Sequence, residues 1–289
     1  MGILAAFCLT ALLSGTPVSL WAPVCIMALI AGVGDRVDLP VRLRLTVQLG
    51  LSSVLVLGAA YSSTDRSASL LLIPFWIVFI AGTANFYNFM DGINGIAGIA
   101  GVVGFSLLFL YMDGLKGRPG LGALSLCMAF SCLGFLPLNM PRAKIFMGDV
   151  GSILLGAAFA SIVFLGSRTF LDFLCTASFL STFYADELST MAVRIKGGEN
   201  LLRAHREHLY QLLANEYGIA HWRISAAYGA MQALIGIIVL LVRPFGVMAV
   251  TAVLVLWSCL FVTASHCVRN RLKQVQPAYL PCKPESPPL

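Results

Sequence analysis

Ten apolar runs, most of them close to the ~20 residues that cross a bilayer as an α-helix, make up most of this chain. They do not alternate with polar residues, so they predict helices rather than the strands of a membrane barrel. Charged residues make up only 11% of the chain, against roughly 25% in soluble domains. The sequence therefore predicts an all-α, polytopic membrane protein with about 10 transmembrane helices, at 1–14, 17–33, 45–61, 70–84, 95–112, 119–138, 151–167, 169–193, 223–242 and 245–265.

Lys and Arg are divided unevenly when the loops are assigned alternately to the two sides of the membrane. One side receives 14 of the 19 basic residues and the other receives five. Basic residues collect on the cytoplasmic side, so the richer side is predicted to be cytoplasmic. We predict a transmembrane domain over 1–265, containing a cytoplasmic His/Arg loop at 194–222, and a basic, Pro-containing cytoplasmic tail at 266–289. The eight cysteines form no CxxC motif, and we interpret them as packing thiols.

The stretch NFYNFMDGINGIAGIAG, at 85–101, places polar residues between two apolar runs. Asn88, Asp91 and Asn94 recur at three-residue steps, which would place them on one side of a helix end. Asp91 could cap a helix. Because an unpaired acid beside hydrocarbon is costly, we favour contact with a nucleotide or a metal ion. Gly98 and Gly101 predict close packing between helices.

A second stretch, AKIFMGDVGSILLG, places Asp149 just ahead of an apolar helix predicted to begin near Gly151. The small residues there allow backbone N–H groups to approach an anion at the helix start. Because Asp149 alone would repel a phosphate, it indicates a bridging divalent cation, above all Mg²⁺, with helix capping as the alternative. Phe146 could stack on a base or simply pack.

A third stretch, RIKGGENLLRAHREHLYQLL, places His205 and His208 at i and i+3, beside Arg203 and Arg206. On one helical face, these groups suit a diphosphate. The alternatives are a zinc site, for which no third ligand is evident, and a basic surface helix at the lipid headgroups.

Three further acids lie near helix ends. Asp186 and Glu187 are in the last third of an apolar run, where acids normally face a cavity. Asp35 is at an inner helix end, ahead of Arg42 and Arg44, and taken alone it could be an ordinary interfacial acid.

Together, NFYNFMDGINGIAG, AKIFMGDVGSILLG and HREHLYQ resemble the polyprenyl-phosphate N-acetylhexosamine-1-phosphate transferases (glycosyl transferase family 4), over roughly residues 17–265. HREHLYQ, following ADELSTMAVR, resembles the O-antigen-initiating branch rather than the related phospho-MurNAc-pentapeptide translocases. The resemblance implies an enzyme of the EC 2.7.8 type in the bacterial inner membrane. It would transfer a sugar 1-phosphate from a UDP-N-acetylhexosamine to undecaprenyl phosphate and release UMP at the cytoplasmic face.

The resemblance also implies a site. Asp35, Asp91 and Asp149 would be catalytic, with Asp149 and Asp91 binding Mg²⁺, or Mn²⁺ as the alternative. The bilayer and the two substrates would be its partners; no nucleic acid is expected, and a homodimer is left open. Substrate contacts would come from Asn88, Asn94, Asn139, Phe146, His205, Arg206 and His208.

Two features depart from the family pattern. Its usual Asp-Asp pair reads Gly34-Asp35 here, although a phosphate monoester is already mostly dianionic at neutral pH and needs little help from a base. Its first helix and the basic loop that follows are absent, which predicts little activity of residues 1–289 alone. A catalytically impaired, truncated family member and a membrane transporter are the rival functions. A carrier needs acids in mid-span, whereas these acids lie at inner helix ends.

Overall fold

The computed structural model describes residues 1–37, 39–62, 70–200 and 206–275. Within these ranges the regular elements are all helical, which confirms the predicted all-α class. The α-helices are α1 Gly2–Leu13, α2 Val18–Gly34, α3 Val41–Ser62, α4 Ile73–Phe89, α5 Ile96–Phe109, α6 Pro119–Asn139, α7 Gly148–Gly166, α8 Phe170–Ala177, α9 Ser181–Lys196, α10 Leu209–Asn215, α11 His221–Val242 and α12 Val247–Val275.

Six helices among the described residues are long and apolar enough to cross a membrane: α3, α5 with its extension to Leu115, α6, α7, α11 and α12. Three more, α1, α2 and α4, are apolar but shorter. The polytopic membrane fold is therefore confirmed, whereas the count of about 10 transmembrane helices stays a prediction. The domain boundary predicted at residue 265 also stays a prediction, and α12 continues beyond it to Val275.

The predicted run at 169–193 is two helices, because a short 3₁₀ turn, Ser178–Leu180, separates α8 from α9. At the other end of the bundle from the acidic residues described below, a buried Asp172 joins α8 to its neighbours. Its carboxylate accepts a hydrogen bond from Tyr111 Oη at 2.6 Å and lies 2.5 Å from Lys116 Nζ. These contacts fix the end of α8 against the chain that follows α5.

Glycines set the spacing of the central helices. A Cβ added at Gly98 would lie 2.7 Å from Leu136 of α6, and one at Gly101 would lie 2.5 Å from Cys132 of the same helix. The predicted close packing at these two glycines is therefore confirmed. Gly156 of α7 likewise allows close packing against α4, because a Cβ added at Gly156 would lie 2.7 Å from the α4 backbone.

Helix α7 is the centre of the bundle and packs against both α2 and α4. Its residues from Gly151 to Val163 are buried. Since α7 begins where α2 and α4 end, the polar residues at these three helix ends meet at one face of the membrane domain. We call this the site face. The cysteines in the described ranges are free thiols, in agreement with the packing interpretation.

Candidate active site

The acids at the site face come from three separate parts of the chain. Asp35 is the C-cap residue of α2, and its Oδ2 accepts a hydrogen bond from the backbone N–H of Asp149 at 3.1 Å. Arg44, near the start of α3, forms an ion pair with Asp149, and the distance from Arg44 Nη1 to Asp149 Oδ2 is 3.0 Å. Asp149 is in the first turn of α7, which begins at Gly148 rather than near Gly151 as predicted. The N-cap residue of α7 is Met147, so the capping alternative for Asp149 is excluded.

Asn88, on the last turn of α4, ties that helix to the start of α7. Its Oδ1 accepts a hydrogen bond from Ser152 Oγ at 2.5 Å. The amide therefore fixes the end of α4 against the start of α7, which carries Asp149.

Asp91 lies in the turn between α4, which ends at Phe89, and α5, which begins at Ile96. The prediction that Asn88, Asp91 and Asn94 share one side of a helix is wrong, because the last two are outside any helix. Asp91 does not cap α5 either, since the N-cap residue is Gly95 and no side chain caps it. Burial, with the negative charge of Asp149, raises the pKa of Asp91 to about 7. We call Asp35, Asp91 and Asp149 the acidic cluster.

Tyr210 of α10 covers the turn that carries Asp91. Its Oη donates a hydrogen bond to the carbonyl oxygen of Phe89 at 2.9 Å. A Cβ added at Gly92 would lie 2.3 Å from the same Oη, so only glycine leaves room for this contact. The sequence reasoning did not assign a role to Tyr210, although it lies within the HREHLYQ motif.

Asn94 and Asn139 organise the loops at the site face. Gly95 N–H donates to Asn139 Oδ1 at 2.6 Å, and Asn139 Nδ2 donates to the carbonyl oxygen of Ile145 at 3.0 Å. Asn94 Nδ2 donates to the carbonyl oxygen of Pro141 at 3.3 Å. Their predicted contacts with a nucleotide stay predictions, and the bonds in the structure are those of residues that shape a loop.

Phe146 and Arg206 are exposed at the site face. Phe146 has 76% of its surface accessible, at the end of the loop that leads to Asp149. Arg206 is exposed just ahead of α10. Both side chains are therefore accessible to a ligand.

His208, unlike Phe146 and Arg206, is not exposed. It directly precedes α10 instead of lying within a helix, so the predicted helical face for the two histidines is wrong at this position, and His205 lies outside the described residues. The His208 ring is buried, with Nε2 3.4 Å from Glu187 Oε2. Burial, with the positive charges of Arg269 and Arg194, lowers the pKa of His208 to about 3. Its predicted substrate contact stays a prediction.

Asp186 anchors the segment 206–215, a role that the sequence reasoning missed. Its carboxylate accepts hydrogen bonds from the backbone N–H groups of Leu209 at 2.8 Å and Tyr210 at 3.2 Å, and from Tyr228 Oη at 2.7 Å. Asp186 and Glu187 are both enclosed by protein. The prediction that these two acids face a cavity is therefore wrong. Asp186 instead stabilises the start of α10 and so the position of Tyr210.

The donor atoms of the acidic cluster suit a hard divalent cation. Among the described residues there is no group of three acidic, His or Cys side chains arranged as metal ligands. Mg²⁺ usually keeps several waters and takes only one or two carboxylates from a protein. Asp149, together with Asp35 or Asp91, meets that requirement, and the proximity of these acids leaves negative charge for a cation to neutralise.

Comparison with known proteins agrees with this geometry. The chain is 30% identical over 172 residues to phospho-N-acetylmuramoyl-pentapeptide-transferases of Staphylococcus aureus strains JH9, Newman and JH1. The aligned region covers 59% of this chain and 51% of each relative, so the chain spans about half the length of the relatives it matches. The family model "Glycosyl transferase family 4" matches residues 17–167, which include the whole acidic cluster. Since this match covers more than half of the sequence, the chain belongs to glycosyl transferase family 4.

Proposed function

We propose that this protein transfers a sugar 1-phosphate from a UDP-sugar to a polyprenyl phosphate and releases UMP. The observation that carries the proposal is the acidic cluster, in which Asp149 contacts Asp35 and Arg44 beside the buried turn that holds Asp91. Such a cluster suits Mg²⁺, because two of its carboxylates could hold the cation, which would neutralise the charge of a diphosphate. Membership of glycosyl transferase family 4 supports the same reaction class.

The reaction depends on charge and position more than on a strong base. At neutral pH the acceptor phosphate is mostly dianionic, so its oxygen can attack the β-phosphorus of the UDP-sugar directly. A new oxygen–phosphorus bond forms while the bond from the β-phosphorus to the bridging oxygen breaks, and UMP leaves with that electron pair. Phosphoryl transfer of this kind is accelerated mainly by positioning and by neutralising phosphate charge.

Individual residues supply these two effects. Asp149, with Asp35 or Asp91, would hold Mg²⁺, which neutralises diphosphate charge when bound. Arg44 adds a guanidinium beside Asp149, and guanidinium groups bind phosphate oxygens in two-point contacts. Asn88 fixes the start of α7, which carries Asp149, through its hydrogen bond with Ser152.

The donor is held by residues at the rim. Phe146 would stack on the uracil ring and Arg206 would bind phosphate, and the exposure of both side chains supports these roles. Asn94 and Asn139 keep the loop before Phe146 in place through the hydrogen bonds described above. His208, being buried, would act by shaping the segment 206–215, whereas a direct contact of His205 or His208 with substrate is the alternative.

The finer assignment rests on sequence. ADELSTMAVR and HREHLYQ favour an N-acetylhexosamine donor and the initiation of a cell-surface polysaccharide such as O-antigen. The excess of Lys and Arg in the loops of the site face favours a cytoplasmic active site in the bacterial inner membrane.

The test compares Asp149→Asn with Asp113→Asn, the same chemical change at an exposed acid far from the site face. UMP release from UDP-N-acetylglucosamine and undecaprenyl phosphate is measured in detergent, together with Mg²⁺-dependent binding of the UDP-sugar. We expect Asp149→Asn to lower turnover by about 100-fold or more, as is typical when a group stabilising transition-state charge is removed. Mg²⁺-dependent binding should be lost with it, whereas Asp113→Asn retains both. The proposal would be overturned if the Asp149→Asn variant bound the UDP-sugar with unchanged Mg²⁺ dependence. This outcome is decisive whether or not turnover is seen.

A further inference from the structure

A groove of about 480 Å³ separates α12 from α8 and α9. Most of its wall is apolar. Leu174 and Leu188 line one side, and Leu254 and Trp257 line the other. Helix α12 exposes large apolar side chains on the outside of the bundle, including Val255 and Leu260. The groove therefore lies at a surface of the bundle that faces hydrocarbon in a membrane.

One end of the groove is basic. Lys196, the last residue of α9, lies there with His266 and Arg269 of α12. This end is at the site face, because Arg269 Nη2 donates a hydrogen bond to the carbonyl oxygen of Glu207 at 2.6 Å. Among the described residues, no acidic side chain lines the groove. The groove lining thus carries positive charge, of which the Arg269 part is also balanced from behind by the buried Asp186 and, within the described residues, the Lys196 part is not.

Arg269 is held in place by protein contacts while keeping one nitrogen for a ligand. Its Nη2 also donates to Thr190 Oγ1 at 2.9 Å, and its Nε donates to Ser265 Oγ at 3.3 Å. Within the described part of the chain, Nη1 forms no hydrogen bond. A guanidinium fixed in this way loses little conformational freedom when it binds an anion.

We propose that this groove binds an anionic glycerophospholipid, with its phosphate at Lys196 and Arg269 and an acyl chain along the wall formed by Leu254 and Trp257. An amphiphile with one anionic end matches a groove with one basic end, and basic pockets between transmembrane helices are known to bind anionic lipid headgroups. The lipid is distinct from the polyprenyl phosphate acceptor. The acceptor phosphate must reach the acidic cluster, and the groove is lined by α8, α9, α12 and the turn before α9, none of which carries an acid of that cluster.

The bound lipid also affects the site face. Its phosphate shares the Arg269 guanidinium with Glu207, and the segment 206–215 carries Tyr210, which covers the turn of Asp91. Binding of the lipid therefore orders this segment. The groove and the acidic cluster are linked through α10, although they share no residue.

The test uses Trp257 as a reporter inside the groove. Brominated phosphatidylglycerol and brominated phosphatidylcholine are titrated into the purified chain in detergent, and tryptophan quenching is followed. Trp257→Phe identifies the part of the quenching that comes from the groove. Lys196→Gln is compared with Arg271→Gln, the same loss of charge at an exposed position of α12 outside the groove.

We expect phosphatidylglycerol to quench Trp257 at lower concentration than phosphatidylcholine does. Lys196→Gln should weaken phosphatidylglycerol binding about fivefold, the effect of removing one basic contact at a lipid phosphate, and Arg271→Gln should not. Phosphatidylglycerol should also slow hydrogen exchange in 206–215. Equal quenching by the two lipids, or equal effects of the two variants, would overturn the proposal. Displacement of phosphatidylglycerol from Trp257 by an equimolar amount of undecaprenyl phosphate would overturn it too, by assigning the groove to the acceptor.

Discussion

Replacing Asp186 with alanine should release the segment 206–215 from the bundle while the transmembrane helices stay folded. The carboxylate is fully buried and accepts hydrogen bonds from Leu209 N–H, Tyr210 N–H and Tyr228 Oη. Helix α10 has only seven residues, and helices this short are not stable in isolation. Its position therefore depends on the bonds at its start and on the side chains that it buries.

The magnitude follows from the groups that lose their acceptor. Each buried donor left without a partner costs about 1–3 kcal/mol, so three such donors would cost roughly 3–9 kcal/mol if the segment stayed in place. Detachment instead exposes Leu209, Tyr210 and Leu212, and each large side chain contributes about 1.5–3 kcal/mol when buried. The cost of keeping three unpaired donors buried is thus comparable to the cost of exposing these side chains. The free energy of local opening should therefore fall by about 3 kcal/mol or more. That change corresponds to roughly 100-fold faster exchange of the amides in this segment.

Hydrogen exchange followed by mass spectrometry measures this opening directly in the detergent-solubilised protein. Peptides from α5 serve as the internal reference for global unfolding. Ser189→Ala is the matched control, because Ser189 is on the same helix and only its hydroxyl, which donates to the backbone carbonyl of Asp186 at 3.0 Å, is removed. If Asp186→Ala left exchange in 206–215 at the Ser189→Ala level, the anchoring role of this carboxylate would be refuted.

Three further outcomes test the packing, the orientation and the buried histidine. Gly156→Ala should destabilise the protein by about 1–3 kcal/mol, because its Cβ meets the α4 backbone at 2.7 Å, whereas Gly134→Ala, with no atom within 4 Å, should not; thermal unfolding distinguishes them. In a chain without its native cysteines, Glu216→Cys should react with an impermeant maleimide only in inverted vesicles, and labelling in intact cells would reverse the assigned orientation. The pKa of His208 is lowered from 6.5 to about 3 in the docked segment. The detached segment therefore binds a proton more strongly than the docked one, and acidification from pH 6.5 towards 3 favours opening. After correction for intrinsic exchange rates, opening of 206–215 should increase over that range more in the native chain than in His208→Gln; equal increases would contradict the assignment.

The helices could be predicted because continuous apolarity reports membrane burial directly. Their ends could not, because polar residues at an interface extend a helix without lengthening its apolar run. Helix α3 begins at Val41 although its apolar run begins near residue 45, since Arg42 and Arg44 belong to its first turn. The break at Ser178–Leu180 has no Pro or Gly to mark it, and it becomes visible only from the packing of α8 and α9.

The candidate site could be predicted only in part, for a related reason. Acids at helix ends on one side of a membrane are close in space whatever the detailed packing, so Asp35 and Asp149 could be brought together from sequence. The contact of Asp186 with Leu209 joins residues 23 positions apart through a loop, and no spacing rule predicts it. The three-residue rule failed for Asp91 because α4 ends at Phe89 and a turn follows, which closes at Gly95 with a φ of 86°.

The balance of charge at the acidic cluster gives a physical reason to expect a ligand there. Asp149 contacts Asp35, its charge also acts on the buried Asp91, and within the described residues Arg44 is the cation that forms an ion pair with the cluster. Like charges held together in a partly buried place destabilise a fold, and packing of α2, α4 and α7 does not need them, since glycine and alanine already bring these helices into contact. Sequences break local rules of this kind mainly at functional sites. A divalent cation would turn the mutual repulsion of these carboxylates into attraction and would leave coordination positions for phosphate oxygens. The same arrangement of acids that destabilises the protein without a ligand is therefore expected to strengthen its binding of a metal-bound diphosphate.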